Sequence, residues 1–88
     1  MIHFYMLDKQ YILLNRCGEA IGHLYITLME EPRYKVGTLK DRNNKTRMLA
    51  FSEMCEDVSI AFALMGKNEN KEHLSILPLR GERASDIF

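Results

Sequence analysis

Tryptophan is absent from this chain of 88 residues, and cysteine and proline occur only twice each. Cys17 and Cys55 lie far apart in sequence and form no CxxC pattern, so two free, buried thiols in a reducing compartment are expected, which points to the cytoplasm. Long apolar runs are missing as well. The opening residues, Met1 to Met6, are largely apolar, but Asp8 ends the stretch well short of a secretory core or a membrane span. There is no GxxxxGK[ST] loop, no GxGxxG fingerprint and no GxSxG elbow, so nucleotide-dependent and α/β-hydrolase chemistry find no support. The three histidines, His3, His23 and His73, make no HxH, HxxxH or Cys/His pair at ligand spacing. A metal site is therefore not expected, nor is a cofactor.

What remains is a globular composition. The 47% hydrophobic fraction is too high for a disordered chain. The length sets a single compact domain over residues 1–88, which buries only about 60–65% of the surface of its unfolded chain. Six methionines supply adaptable filling for that modest core, and a core of this kind leaves room for a partner subunit, a homodimer included. Twelve basic and twelve acidic residues cancel, yet they are not evenly spread. Arg33, Lys35, Lys40, Arg42, Lys45 and Arg47 stand against Asp41 alone, and Glu53, Glu56 and Asp57 follow at once. Such a basic segment is the footprint expected for phosphate or for an acidic partner, while a solvated hairpin that protects a sheet edge explains it equally well.

Local punctuation divides the chain into short elements. Residues 2–7 read as an opening strand. Residues 8–17 begin with Asp and stop at Gly18, which are helix boundary signals, although Tyr11 to Leu14 fit a buried strand as well. Over residues 19–31 the polar or small positions Glu19, Gly22, His23, Thr27 and Glu30 follow a helical period, and Pro32 marks the stop. Strands are expected at 34–39, 46–51, 58–64 and 73–79, with turns at 41–45 and 67–72. In 58–64 the large residues Val58, Ile60, Phe62 and Leu64 alternate with small ones. The tail, 81–88, reads as a helical turn packed back on the sheet. The expected fold is α+β: one or two N-terminal helices packed on a mainly antiparallel sheet of about four to five strands.

Arginine and lysine are the residues left to carry chemistry. RNA can be cleaved without metal when a base removes the 2′-OH proton and cations stabilise the pentavalent phosphorane. Arg47, near the start of an expected strand, and Arg80, at the end of the last one, are the candidate catalytic cations, because guanidinium binds phosphate in a bidentate way. Lys35, Lys40, Arg42, Lys45 and Arg83 are the candidate RNA contacts.

These landmarks are similar to those of the BrnT-type ribonuclease toxins, compact relatives of the RelE-like toxins of bacterial toxin–antitoxin pairs. The likeness runs from Lys9 through Arg16-Cys17-Gly18, a segment ending in Glu31-Pro32, Lys45-Thr46-Arg47-Met48-Leu49-Ala50, and Leu77-Pro78-Leu79-Arg80 with Glu82-Arg83 and Phe88. Cys17 stands where the family has histidine, Thr46 replaces an acidic residue before Arg47, and Pro78 interrupts the last strand. The resemblance implies a metal-independent endoribonuclease, intact or degenerate, with a cognate antitoxin protein and messenger RNA as partners. It carries Arg47 and Arg80 over as the catalytic cations.

Three other readings compete. A small inhibitor or immunity-type protein of a phage or mobile element would bind a partner protein without catalysis, through acids such as Glu30, Glu31, Glu53, Glu56 and Asp57. A nucleic-acid-binding module would use the basic hairpin and Tyr34, although one aromatic is a poor stacking platform. An all-β barrel would instead make residues 10–15 and 22–29 strands.

Overall fold

Five strands and one helix make up the described residues, 8–66 and 75–79, in a computed structural model of the chain. Strands β1 (Asp8–Leu14), β2 (Ala20–Glu30), β3 (Arg33–Asp41) and β4 (Thr46–Ser52) form an antiparallel meander. Helix α1 (Asp57–Met65) follows, and β5 (Ser75–Pro78) pairs antiparallel with β1. The sheet order is β4-β3-β2-β1-β5, so the chain crosses from one edge of the sheet to the other between β4 and β5.

Side-chain chemistry sets the turns. Between β1 and β2, the Asn15 side-chain oxygen accepts from the backbone N–H groups of Cys17 and Glu19, each at 2.9 Å. Between β3 and β4, Asp41 Oδ1 accepts from the backbone N–H groups of Asn43 and Lys45, again at 2.9 Å. Gly18 (φ 82°) and Asn44 (φ 65°) supply the left-handed residue that each turn needs. The Lys45 N–H leads the interactions that hold the Asp41 carboxyl below its usual value, so the turn keeps its acceptor charged. Glu31 and Pro32 alone separate β2 from β3, with Glu30 opposite Arg33.

The pairing register assigns every strand residue to one of two faces. One face carries Leu13, Leu24, Ile26 and Leu39, which are buried beneath Ile60, Ala61 and Leu64 of α1. Gly37 sits at the centre of this contact. A Cβ there would lie 2.5 Å from Ile60 Cγ2 and 3.1 Å from Leu64 Cδ1, so only a residue without a side chain lets the helix settle on β3. Both ends of α1 are tied to the sheet. Lys35 Nζ donates to the Cys55 carbonyl at 2.8 Å and pairs with Asp57 Oδ1 at 3.0 Å at the start of the helix. Arg47 Nη1 donates to the Leu64 carbonyl at 2.8 Å at its end, where Gly66 (φ 86°) stops it. A carboxylate in the first turn and a guanidinium at the last both complement the helix dipole.

Three expectations are corrected. Helices do not precede the sheet: residues 19–31, read as a helix, are mainly β2, and the ambiguous segment 8–17 is largely β1. The expected strand at 58–64 is α1, the one helix among the described residues. The fold is thus a five-stranded antiparallel sheet with a helix after its fourth strand. The expected strands at 34–39 and 46–51 are present as β3 and β4, and that at 73–79 contributes β5. The opening strand 2–7, the turn 67–72 and the tail lie outside the described residues.

Candidate nucleic-acid interface

The second face of the sheet has no described element packed on it. It carries His23, Tyr25 and Met29 from β2, Tyr34 and Lys40 from β3, and Met48 from β4. Tyr25 is 38% exposed and Met48 59%. Because both β2 and β3 are interior strands, the side chains they contribute stand on a platform flanked on both sides by paired backbone, with Met48 on the edge strand beside them.

His23 is the most constrained of them. Its Nε2 lies 3.0 Å from Gln10 Oε1, and in the tautomer in which Nε2 donates to that oxygen Nδ1 keeps its lone pair. The ring meets Tyr25 edge to face, with centroids 5.7 Å apart. Lys40 lies directly opposite in the register. Burial, and then the Lys40 charge, push the His23 pKa below its ordinary 6.5, which keeps the imidazole neutral at pH 7.

The meander also sorts the charges. The β1–β2 and β3–β4 turns lie at one end of the sheet, where Arg16, Lys40, Arg42 and Lys45 are exposed. At the opposite end lie Glu30, Glu31, Glu53 and Glu56, and there the exposed Arg33 pairs with Glu53 at 2.9 Å. The open face thus leads from an acidic end to a basic one.

No known protein family, characterised protein or solved structure matches the chain.

Of the residues expected to act, Lys40, Arg42 and Lys45 come together at the basic end. Lys35 does not join them; it is half-buried against Asp57 on the helix side. Arg47 is also on the helix side, holding the Leu64 carbonyl. Arg80 and Arg83 lie outside the described residues, as do His3 and His73. Gln10, His23, Tyr25 and Tyr34 complete the platform. Of these, Tyr34 stands in the sequence as a lone aromatic among basic residues, and His23 as a polar position of the helix expected over 19–31. A strand reading of 20–30 places His23, Tyr25, Thr27 and Met29 on one face by simple alternation, and that is the signal that finds them.

A second polar cluster lies at the start of α1. The Tyr11 hydroxyl donates to Asp57, which also receives Lys35 and, at 3.6 Å, Lys9. Burial raises the Tyr11 pKa to about 12, with the Asp57 hydrogen bond and charge adding to it. Burial acts to raise Asp57 too, but Tyr11, Lys35 and Lys9 outweigh it and hold the carboxyl below its ordinary value. Each of these groups is satisfied by the others, as in a structural pin. Cys17 and Cys55 are free thiols, exposed and half-buried respectively. Among the described residues no three His, Cys, Asp or Glu side chains gather to hold a metal, and no helix is long and apolar enough to cross a membrane.

Proposed function

We propose that the protein binds single-stranded RNA across the open face of its sheet. The observation that carries this reading is the joining of Tyr25, Tyr34 and His23 with Lys40, Arg42 and Lys45 on one surface and its basic end. Aromatic faces stack on unpaired bases whatever their identity, and adjacent cations track the phosphates. From strand geometry, Tyr25 and Tyr34 stand about 14 Å apart on neighbouring strands, far enough to engage separate bases.

The test is fluorescence anisotropy with a labelled, unstructured oligoribonucleotide. Tyr25→Ala and Tyr34→Ala should each weaken binding by roughly 5- to 150-fold, corresponding to about 1–3 kcal/mol per stacked base. With three phosphate contacts the slope of log K against log salt should be about −2, and removing Lys40, Arg42 and Lys45 should flatten it. Absent binding at low salt, or binding indifferent to both tyrosines, would overturn the reading. Weight would then pass to a protein partner, for which exposed Met29, Met48 and Leu77 on the same face offer apolar contact.

Metal-independent RNA cleavage is the second reading, favoured by the neutral His23 beside Lys40. His23 Nδ1 would take the 2′-OH proton and the 2′-oxygen would attack the adjacent phosphorus. The 5′-oxygen would leave as it takes a proton from water, the resulting hydroxide taking the proton back from the His23 imidazolium, giving a 2′,3′-cyclic phosphate and a 5′-hydroxyl end. Loss of that product in His23→Gln at RNA concentrations that saturate the variant by anisotropy is the expected outcome.

A further inference from the structure

We propose that two copies of the chain pair edge to edge through β4, forming one continuous ten-stranded sheet. This does not rest on RNA binding and stands on the contrast between the two edges of the sheet. The β5 edge carries Pro78, which has no N–H to give to a further strand. The β4 edge has seven residues, no proline, and an unbroken register with β3. Among the described residues β3 is its one neighbour. Six of its seven residues are exposed, Met48 at 59% and Leu49 at 50% among them. An edge with exposed apolar side chains and no described strand beyond it is a template for another strand.

The occupant is identified by self-complementarity. A second β4 laid antiparallel about a two-fold axis at Leu49 pairs all seven residues. Thr46 faces Ser52 of the second copy, Arg47 faces Phe51, Met48 faces Ala50, and Leu49 meets its own equivalent. Arg47 and Phe51 share the helix side, so the guanidinium reaches an aromatic ring rather than a like charge. Extending the register by one residue at each end sets Lys45 against Glu53, twice by symmetry. Opposite charges directly across a strand pair are favourable and like charges are not. The axis lies perpendicular to the sheet, so both α1 helices fall on one side and both open faces on the other. An isologous contact of this kind closes at two copies and leaves only the blunted β5 edges outward.

Sedimentation equilibrium of the full chain at about 100 µM tests the proposal, with a dimer expected at a dissociation constant of about 10 µM or tighter. Leu49→Lys, which opposes two ammonium groups on the axis, should raise the dissociation constant at least about tenfold while circular dichroism shows a folded chain. Lys45→Glu should also weaken the dimer, and Lys45→Glu/Glu53→Lys should restore it. In a Cys17→Ser/Cys55→Ser background, Leu49→Cys should cross-link to itself on oxidation, since directly opposed strand residues have Cβ atoms about 5 Å apart. A monomeric wild-type chain at this concentration would overturn the proposal. So would a dimer insensitive to Leu49→Lys, or one in which Leu49→Cys does not cross-link.

Discussion

Replacing Gly37 by alanine adds one methyl group at the point where α1 presses on the sheet. That methyl would start 2.5 Å from Ile60 Cγ2, 3.1 Å from Leu64 Cδ1 and 3.4 Å from Phe51 Cε2. Ile60 and Leu64 are fully buried, so neither can swing clear, and the helix must lift or slide. At an approach of 2.5 Å overpacking costs about 2–3 kcal/mol, and relief of the glycine penalty inside a strand returns about 0.5–1, leaving a net loss of about 1–2.5 kcal/mol. For a domain of this size that is a fall of roughly 5–15 °C in Tm. Urea unfolding followed by circular dichroism measures it. Ile60→Ala provides the internal control, because it removes Cγ2 and makes room for the new methyl. Ile60→Ala should therefore cost less in the Gly37→Ala background than alone, with a coupling of about 0.5–3 kcal/mol. Stability unchanged within about 0.5 kcal/mol, or two strictly additive substitutions, would refute the placement of α1 on β3.

Two further outcomes follow from the ties at the ends of α1. Arg47→Ala should cost about 1 kcal/mol by freeing the Leu64 carbonyl, measured by thermal unfolding, with Arg47→Lys intermediate. Asp57→Asn should cost about 1–3 kcal/mol at pH 7 by leaving the half-buried Lys35 without its counter-charge. Because the folded protein holds the Asp57 pKa below its ordinary 3.8, the carboxylate's contribution is complete above pH 3.8 and is lost as pH falls through the folded value. The wild type and Asp57→Asn should accordingly converge in stability on acidification, and a constant gap between them would refute the role given to that charge.

The strands that sequence pattern finds are those with clear turn chemistry around them. The Asp41–Lys45 cluster marks the β3–β4 turn because Asp41 can hold two backbone N–H groups, and both flanking strands are where the pattern puts them. β2 was obscured by its central position. With Leu24 and Ile26 buried on one side and Tyr25 and Met29 on the open side, apolar residues fall on both faces and alternation is lost. The same residues then satisfy a helical period. In α1 the confusion runs the other way: Val58, Ile60, Phe62 and Leu64 alternate in size as a strand would. Yet the buried set is Ile60, Ala61 and Leu64, at helical spacing, with Val58 and Phe62 exposed. Asp57 in the first turn and Gly66 after the last were the boundary signals. The basic half of the candidate site was legible from charge density in Lys40, Arg42 and Lys45. Its aromatic half was not, because Tyr25 and Tyr34 share a face only once β2 is a strand. Lys35 and Arg47 look like their neighbours in sequence, and only the position of α1 shows that they hold its two ends.

The pairing of β1 with β5 has a consequence for how the molecule is made. Each link of the meander joins segments separated by a short turn, so β1 to β4 can zip together as each emerges during synthesis. Tyr11 meets Pro78, by contrast, only after the chain has been laid down as far as residue 78. Until then the outer side of β1, with Tyr11, Ile12 and Leu13 along it, lacks its neighbour. A chain that stops before residue 75 leaves both described margins of the sheet open, and residues 75–78, once they arrive, turn one of them into a paired border.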